Sequence, residues 1–331
     1  MNIVYSASDS YSPLAGISLL SLLMNNKHVN ELNVYIVDNG ISDENKSKLE
    51  KICNDYSRTL EFVSLPDELY NYNINIQKWN ISTFGRLFEA SVLPQLDRVI
   101  HVDCDTVVTG SLKEIWEMDM ENSVVAGAVD CVSDSYKANL SLKTTDTYIN
   151  AGLVMLNLSR IRELKLENTF REYIEKNSGF LRYVDQEVLN ACVPQNEKLT
   201  FSLKYNSYSI IHHFDYKNLR RLRRASEYSL PENEYYEARN TPVVVHYTSC
   251  FMEGLRPWIE GDTHPLNNLF YEYKSLSPWN DMPLWKDTRG GVKKLVTKLV
   301  NIAPLCLVVM AVGFVHGAFL PWTDKIKRCG R

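Results

Sequence analysis

Two carboxylates separated by a single residue, Asp103 and Asp105, follow the apolar stretch 98–102. A run of this kind predicts a buried strand, and two carboxylates just beyond its end form a compact, oxygen-rich site. A hard divalent cation binds such oxygens and keeps phosphate oxygens as further ligands, so the pair suits chemistry in which a diphosphate departs. An ordinary acidic turn after a strand has the same sequence, so the pair by itself leaves both interpretations open.

Other polar residues that suit this chemistry also lie at the ends of predicted elements. Arg86 lies on a helix before the strand, and His246 ends an apolar run. Asn150-Ala151-Gly152 opens a further strand, and Asp185-Gln186 opens a helix. Each has a simpler explanation when taken alone: a surface arginine, a strand-end histidine, or a helix N-cap at Asp185.

Short apolar runs alternate with helical periodicity through the first half of the chain. This rhythm predicts one α/β domain built around a parallel sheet. Ligands bind beyond the carboxyl ends of such strands, which is where Ser8-Asp9-Ser10, Asp103-Cys104-Asp105 and Asp130 fall. Ser42 is predicted to cap the second helix. The predicted strands cover residues 2–7, 32–38, 61–65, 98–103, 124–130, 153–158 and 242–246.

The composition of the 331 residues is that of an ordinary globular protein. A formal net charge of −4 argues against a nucleic-acid partner, because such binders usually carry a strong positive field. The seven cysteines are scattered without a CxxC pair, which predicts neither a disulfide framework nor a zinc site and favours a reducing cytosol. The opening residues carry no secretory signal, so we expect catalysis on the cytoplasmic side.

The C-terminal segment differs from the rest of the chain. Residues 299–322 are largely apolar, and lysines and an arginine flank them on both sides. Such a segment favours contact with anionic headgroups of a membrane over a buried helix packed on the domain. Interruptions at Asn301 and Pro304 leave open whether it spans the bilayer or lies in the interface. The predicted organisation is a catalytic domain over residues 1–280 and a basic, apolar, membrane-associating tail over 281–331.

The order and spacing of these motifs resemble the retaining glycosyltransferases of family 8, which include bacterial lipooligosaccharide galactosyltransferases and the glycogenins. The resemblance covers about residues 2–260. It implies a Rossmann-like, nucleotide-sugar-binding fold of the GT-A type, a UDP-sugar donor and retained anomeric configuration. The motifs that carry it are residues 3–11, 37–42, 82–87, 103–108 with 111–112, 150–152, 183–190, 246–247 and 256–258.

The resemblance assigns the metal site to Asp103, Asp105 and His246. An imidazole ligand suits Mn²⁺ better than Mg²⁺, so Mn²⁺ is the expected ion. Without the resemblance, His246 would be interpreted as a plain strand end.

The resemblance also implies a set of donor-binding residues. Tyr11 would stack on the uracil ring, and the guanidinium of Arg86 would reach sugar hydroxyls and phosphate oxygens. Gln186 would lie beneath the reactive face of the donor sugar. Asp130, Asp185 and Asn150 would hold the sugar hydroxyls, and the remaining donor contacts fall to Ser8, Ser10, Cys104 and Ala151.

The chain departs from the family pattern at two places. Relatives commonly carry Asp and Asn where this chain has Ser8 and Ser10, which predicts rearranged contacts to uridine. In the closing motif, Ser249 occupies a glycine position and four extra residues precede Arg256. Arg256 replaces a lysine and would clamp the diphosphate, with Gly254 restoring flexibility to the loop.

An amide is a poor nucleophile, so we expect front-side attack through a short-lived ion pair rather than a covalent intermediate on Gln186. The basic run 217–224 would guide an anionic acceptor or form a solvated helix face. The predicted function is transfer of glucose or galactose from UDP to a saccharide or lipid-linked acceptor in cell-surface polysaccharide assembly. The alternatives are a self-glucosylating initiator resembling glycogenin and a non-catalytic UDP-sugar-binding scaffold at the membrane.

Overall fold

The computed structural model describes residues 1–65, 81–120, 122–177, 180–249 and 255–329. Gly254 and most of the lengthened loop before Arg256 lie outside these residues.

A mixed sheet forms the centre of the molecule, and within the described residues it has seven strands in the order β3-β2-β1-β4-β7-β6-β8. The strand positions agree with the predicted apolar runs. The small sheet β5-β10-β9 stands beside it. The strands are β1 Asn2–Ser8, β2 Asn33–Asn39, β3 Thr59–Ser64, β4 Arg98–Val102, β5 Thr106–Val108, β6 Val125–Val129, β7 Ile149–Asn157, β8 Lys198–Thr200, β9 Ser207–Tyr208 and β10 Val244–His246.

The expectation of an all-parallel sheet is wrong at β7. This strand runs antiparallel to both of its neighbours, β4 and β6, while the other pairs in the large sheet are parallel. The physical reason is the connection 130–148, which returns the chain to the edge it has just left, so that Val129 pairs with Ile149. The first residues of β7 therefore lie at the carboxyl edge of the sheet.

The helices that cover the sheet follow the predicted pattern in the first part of the chain. The Ser42 hydroxyl accepts a hydrogen bond from the Asn45 amide and caps α2 as predicted. The helix predicted around Arg86 is instead a 3-10 helix, Ile81–Phe88, followed by a short α-helix. The α-helices are α1 Ser12–Asn25, α2 Asp43–Asp55, α3 Glu89–Val92, α4 Lys113–Trp116, α5 Asp134–Asn139, α6 Leu158–Glu163, α7 Leu166–Lys176, α8 Val184–Cys192, α9 Ser209–His213, α10 Tyr216–Arg223, α11 Glu232–Asn240, α12 Asn267–Leu276, α13 Gly291–Ile302, α14 Leu305–Phe314 and α15 Leu320–Cys329.

Both faces of the large sheet are buried. Alternate residues of β1 point to opposite sides, so that Ile3 and Tyr5 belong to one apolar cluster and Val4 to another. A sheet covered on both faces exposes its carboxyl edge, where polar side chains can be reached.

The tail forms a continuous helix from α14 through a π-helical turn at Val315–Phe319 to α15. In the part of the chain that the structure describes, the helix Leu305–Arg328 is the one long and apolar enough to cross a membrane, by length and composition alone. One face of this helix packs on the domain. The contact is close at Gly313, where the first side-chain carbon of any larger residue would lie 2.6 Å from the Arg221 carbonyl oxygen. Of the basic run, Lys217, Arg221 and Arg224 are exposed, as a solvated helix face predicts, whereas Arg223 is partly buried on the side of α10 that packs against this helix.

Polar contacts hold the tail helix to the domain. Asp324 forms an ion pair with Arg182 at 2.5 Å, and Arg328 pairs with the buried Glu187. The boundary at residue 280 remains a prediction, and backbone pairing crosses it, since the Trp285 amide donates to the Trp258 carbonyl. The outer face of the tail helix exposes Leu305, Leu307, Met310, Phe314, Val315, Phe319, Trp322 and Ile326.

Candidate active site

The two sheets bring together the carboxylates that follow β4. The Asp103 amide donates to the Gly152 carbonyl of β7, which fixes the first carboxylate at the carboxyl edge of the large sheet. The Asp105 carbonyl accepts from the Tyr247 amide, immediately after β10. The small sheet therefore carries His246 to the side of Asp105.

Asp103, Asp105 and His246 form a compact cluster whose ligand atoms all lie within 4.8 Å of one another. The His246 Nε2 atom lies 3.2 Å from an Asp105 oxygen and 3.6 Å from an Asp103 oxygen. Ligands at right angles around a metal with bonds near 2.1 Å lie about 3 Å apart, so this spacing fits one octahedral ion. The donor set of two carboxylates and one imidazole suits a divalent metal ion.

Asn206, a residue that sequence analysis missed, sets the orientation of the imidazole. Its side-chain oxygen lies 3.0 Å from His246 Nδ1, and its amide nitrogen donates to Asn150 Oδ1 at 2.8 Å. With Nδ1 as the donor to this oxygen, the lone pair on Nε2 faces the two carboxylates. A side chain at Gly152 would lie 2.1 Å from His246 Nδ1, so only glycine leaves room for the ring.

The charges in the cluster depend on one another. Burial opposes ionisation of Asp105, but His246 and Arg256 lower its pKa to about 2. Burial likewise disfavours protonated His246, yet Asp105 raises its pKa above the ordinary value. In the absence of a metal the imidazole therefore holds its proton more firmly, and a cation must displace that proton to bind.

Arg86 is buried beneath the cluster and braces three groups. Its guanidinium donates to Asp103 and to the Ala151 carbonyl, and it pairs with Asp185 at 2.5 Å. The surface-arginine interpretation is therefore wrong. So is the N-cap interpretation of Asp185, because Tyr183 occupies the N-cap of α8 and Asp185 turns toward Arg86. Burial raises the pKa of Asp185 to about 6, although Arg86 opposes that rise.

Two further residues missed by sequence analysis support this brace from below. Glu89 and His101 are almost fully buried, and the His101 Nδ1 atom is hydrogen-bonded to Glu89. His101 Nε2 lies 3.9 Å from an Asp103 oxygen. One indication of this pair was present in the sequence: both residues are polar, lie within otherwise apolar elements and are close to Arg86 or Asp103 in the chain.

A second network joins the residues assigned to the donor sugar. Asp130 Oδ2 accepts from Gln186 at 2.8 Å and from Asn150 at 3.1 Å. The side-chain oxygen of Gln186 accepts a hydrogen bond from the Ala151 backbone amide at 3.0 Å. Tyr148 adds its hydroxyl 3.4 Å from the Gln186 amide nitrogen. The start of β7 thus ties Asp130 to the first turn of α8.

The loop after β1 lies at the open end of the crevice. The Ser8 and Ser10 hydroxyls are 3.3 Å apart and exposed. Tyr11 is partly exposed, and its ring meets the edge of Trp285 with ring centroids 5.7 Å apart. Trp285 was assigned to the tail by sequence analysis, and nothing in its surroundings indicated that it would reach this loop.

The remaining assigned residues lie close to the carboxylates. Arg256 Nη2 is 3.5 Å from an Asp105 oxygen, and its guanidinium stands over the Trp258 ring. The Cys104 thiol is buried and donates to the Ser6 carbonyl, so its backbone rather than its side chain faces the crevice. Ala151 likewise contributes its backbone. The structure therefore gathers all the residues assigned to donor and metal at one edge of the sheet.

Comparison with known proteins gives one family and one type of fold. The family model described as Glycosyl transferase family 8 matches residues 2–260. General stress protein A of Bacillus subtilis is 24% identical over 85% of this chain and 95% of its own length. A lipopolysaccharide 1,2-glucosyltransferase of Escherichia coli is 24% identical over 86% of this chain and 81% of its own length.

Among solved structures, the galactosyltransferase LgtC, in complex with donor and acceptor sugar analogs, is similar with a TM-score of 0.68. The identity is 22%, and the match covers 84% of this chain and 96% of that one. At this identity the likeness establishes the fold, which is an α/β fold of the GT-A type.

Removing the Arg86 charge should destabilise the metal-free protein. In Arg86→Met, Asp103 and Asp185 lose their shared cation, and an uncompensated buried carboxylate costs about 3–5 kcal/mol. Urea unfolding at pH 7 with a chelator present measures the loss. Arg162→Met is the matched control, because Arg162 donates to the carbonyls of Ala90 and Leu96 and to a serine hydroxyl, so its loss strands no charge. Equal losses in the two variants would contradict the bracing role.

Proposed function

The chain belongs to glycosyl transferase family 8, and from that premise we propose that it transfers a hexose from a UDP-sugar to a saccharide or glycolipid acceptor with a divalent metal at Asp103, Asp105 and His246. The observation that carries the proposal is the convergence of these three side chains beside Arg256. Two carboxylates and a histidine can hold a cation, and an adjacent guanidinium adds the positive charge that a diphosphate requires.

Mn²⁺ is the proposed ion and Mg²⁺ the less suitable one. An imidazole is a better ligand for Mn²⁺ than for Mg²⁺, which favours oxygen donors. When bound, the ion supplies neutralisation of the charge that develops on the departing diphosphate. Asn206 holds His246 in the tautomer that this role requires.

The donor would lie along the crevice between the loop after β1 and the start of β7. Tyr11 would offer an aromatic face to uracil, supported from behind by Trp285. Ser8 and Ser10 would contact uridine, and Arg256 would clamp the diphosphate. Asp130, Asn150 and Asp185 would hold the sugar hydroxyls, while Arg86 keeps Asp103 and Asp185 charged and in place.

We propose a retaining, front-side displacement in which Gln186 stabilises the oxocarbenium-like sugar with its carbonyl oxygen. The bond from the anomeric carbon to the diphosphate breaks first. The acceptor oxygen then bonds to the same face of that carbon, and the departing phosphate takes the proton of the acceptor hydroxyl. Support comes from the position of Gln186, held between Ala151 and Asp130. An amide held in this way can orient and stabilise charge but is a poor nucleophile.

The hexose is proposed to be glucose or galactose, and the acceptor a saccharide or lipid-linked oligosaccharide in cell-surface polysaccharide synthesis. The E. coli relative is named as a lipopolysaccharide glucosyltransferase, and LgtC is a galactosyltransferase whose complex contains donor and acceptor sugar analogs. The name of the E. coli relative supports a surface glycan as the product.

The tail is proposed to bind the cytoplasmic face of the membrane as an interfacial helix. Its outer face exposes a row of apolar side chains, while Asp324 and Arg328 pair with Arg182 and Glu187 on the domain. A helix crossing the bilayer could not keep these ion pairs without burying charge in hydrocarbon, so the contacts favour the interface over a span.

Release of UDP from the donor in the absence of an acceptor tests the proposed activity. Across UDP-glucose, UDP-galactose and their N-acetyl forms, we expect slow release of UDP from a hexose donor, faster with Mn²⁺ than with Mg²⁺. Asp105→Asn removes a ligand and should lower this rate on the order of 100-fold. Asp97→Asn is the control, because Asp97 lies before the opposite end of β4 and bonds to Ser159.

No UDP release with any donor or metal would contradict the enzymatic function and favour a binding scaffold. The mass of the intact protein, measured after the same incubation with UDP-glucose, separates the remaining alternative. An unchanged mass is expected, and added hexose units would indicate a self-glucosylating initiator.

The role of Gln186 gives a separate prediction. Gln186→Ala should lower kcat by about 100-fold while leaving the Kd for UDP within about twofold, because the lost interaction belongs to the transition state. Gln195→Ala is the control, since Gln195 bonds to the Thr147 backbone away from the crevice. Steady-state kinetics and UDP titration measure both quantities. A trapped sugar adduct on Asp130 or Asp185, detected by mass spectrometry, would overturn the front-side mechanism.

A further inference from the structure

A small, partly open pocket lies beside the donor-sugar residues, between the domain and the tail helix. It is bounded by the connection after β6, the residues before α8, the end of α10 and the π-helical turn of the tail. The side chains that line it are Val132, Ser133, Tyr136, Arg182, Tyr183, Arg223 and His316.

The charge of this pocket is positive. Two guanidinium groups line it, and none of the side chains that line it is acidic. Arg182 is already paired with Asp324 of the tail. Within the described part of the chain, Arg223 forms no ion pair with a carboxylate; its side chain is hydrogen-bonded to Tyr183, and its Nε atom is buried without a hydrogen-bond partner. A partly buried guanidinium without a carboxylate is costly unless an anion completes it.

The pocket adjoins the proposed reaction centre. Val132 and Ser133 follow Asp130 directly in the chain, and Tyr183 lies three residues before Gln186. Burial raises the pKa of Tyr183, while the neighbouring Arg223 lowers it and Asp130 raises it, so the three side chains lie close together. A ligand that fills the pocket therefore lies next to the chain segments that carry Asp130 and Gln186, the residues proposed to act on the donor sugar.

We propose that this pocket binds a phosphate group carried by the acceptor saccharide, so that the enzyme selects a phosphorylated acceptor. The proposal rests on the proposed transferase function and names its acceptor class. Two guanidinium groups match the charge and the several oxygens of a phosphate. Because His316 and Asp324 belong to the tail helix, the docked tail completes the site.

Calorimetric titration of the full-length protein with inorganic phosphate tests this site while UDP and Mg²⁺ fill the donor crevice. Wild type should bind phosphate, and Arg223→Gln should weaken that binding at least about tenfold. Arg223→Lys keeps the charge but not the fork and should fall between the two. Arg221→Gln is the matched control, because Arg221 lies on the same helix with its side chain exposed and outside the pocket.

Two further arms identify the source of the phosphate. Glucose 6-phosphate should compete with inorganic phosphate while glucose does not, and vesicles containing phosphatidylglycerol should leave the phosphate affinity unchanged. Competition by those vesicles instead would assign the pocket to a lipid headgroup and overturn the proposal.

The affinity for UDP, measured in the same samples, distinguishes failure of the phosphate site from failure of the proposed transferase function. Arg223→Gln should bind UDP as wild type does, which also shows that it is folded. Wild type that binds UDP but not phosphate, or Arg223→Gln and Arg221→Gln that bind phosphate equally, would overturn the phosphate site and leave the transferase function standing. Failure of wild type to bind UDP would instead contradict the proposed function.

Discussion

The reversed strand β7 is the constraint on which the site depends. In an all-parallel sheet its first residues would lie at the far edge, about the length of a strand from the carboxylates. Running antiparallel, β7 places Asn150, Ala151 and Gly152 directly between the ends of β4 and β6. The Gly152 carbonyl then accepts a hydrogen bond from the Asp103 amide, and the missing side chain of Gly152 leaves room for the His246 ring. Asn150 donates a hydrogen bond to Asp130, and the Ala151 amide donates one to the Gln186 side chain.

Charge balance is the second requirement at this edge. Asp103, Asp105 and Asp185 converge at this edge and are partly or almost fully buried, so each carboxylate needs a positive partner. Arg86 serves Asp103 and Asp185, and His246 and Arg256 serve Asp105. In the proposed function, a bound metal ion neutralises part of the charge of these carboxylates, and Arg256 pairs with the donor diphosphate instead of with Asp105. The same argument applied to Arg223 in the pocket by the tail leads to an anionic acceptor group.

The sequence predicted the α/β fold and the strand ends that carry Asp103, Asp130 and His246, because apolar runs and polar punctuation are local signals. It did not predict the direction of β7, which depends on how the connection 130–148 packs. The partners of Arg86 were missed for a similar reason, since a buried ion pair looks like separate polar residues in sequence. Trp285 was misplaced because no local pattern links it to Tyr11, which lies more than two hundred residues earlier.

The central claim is that His246 and the two carboxylates hold a metal that also binds the donor diphosphate. Electron–nuclear double resonance of the protein with Mn²⁺ and UDP measures the nuclei coupled to the ion. The account predicts coupling to one imidazole ¹⁴N and to ³¹P, and loss of the ¹⁴N coupling in His246→Gln. A Mn²⁺–UDP complex of the wild-type protein with ³¹P coupling but no ¹⁴N coupling would contradict it.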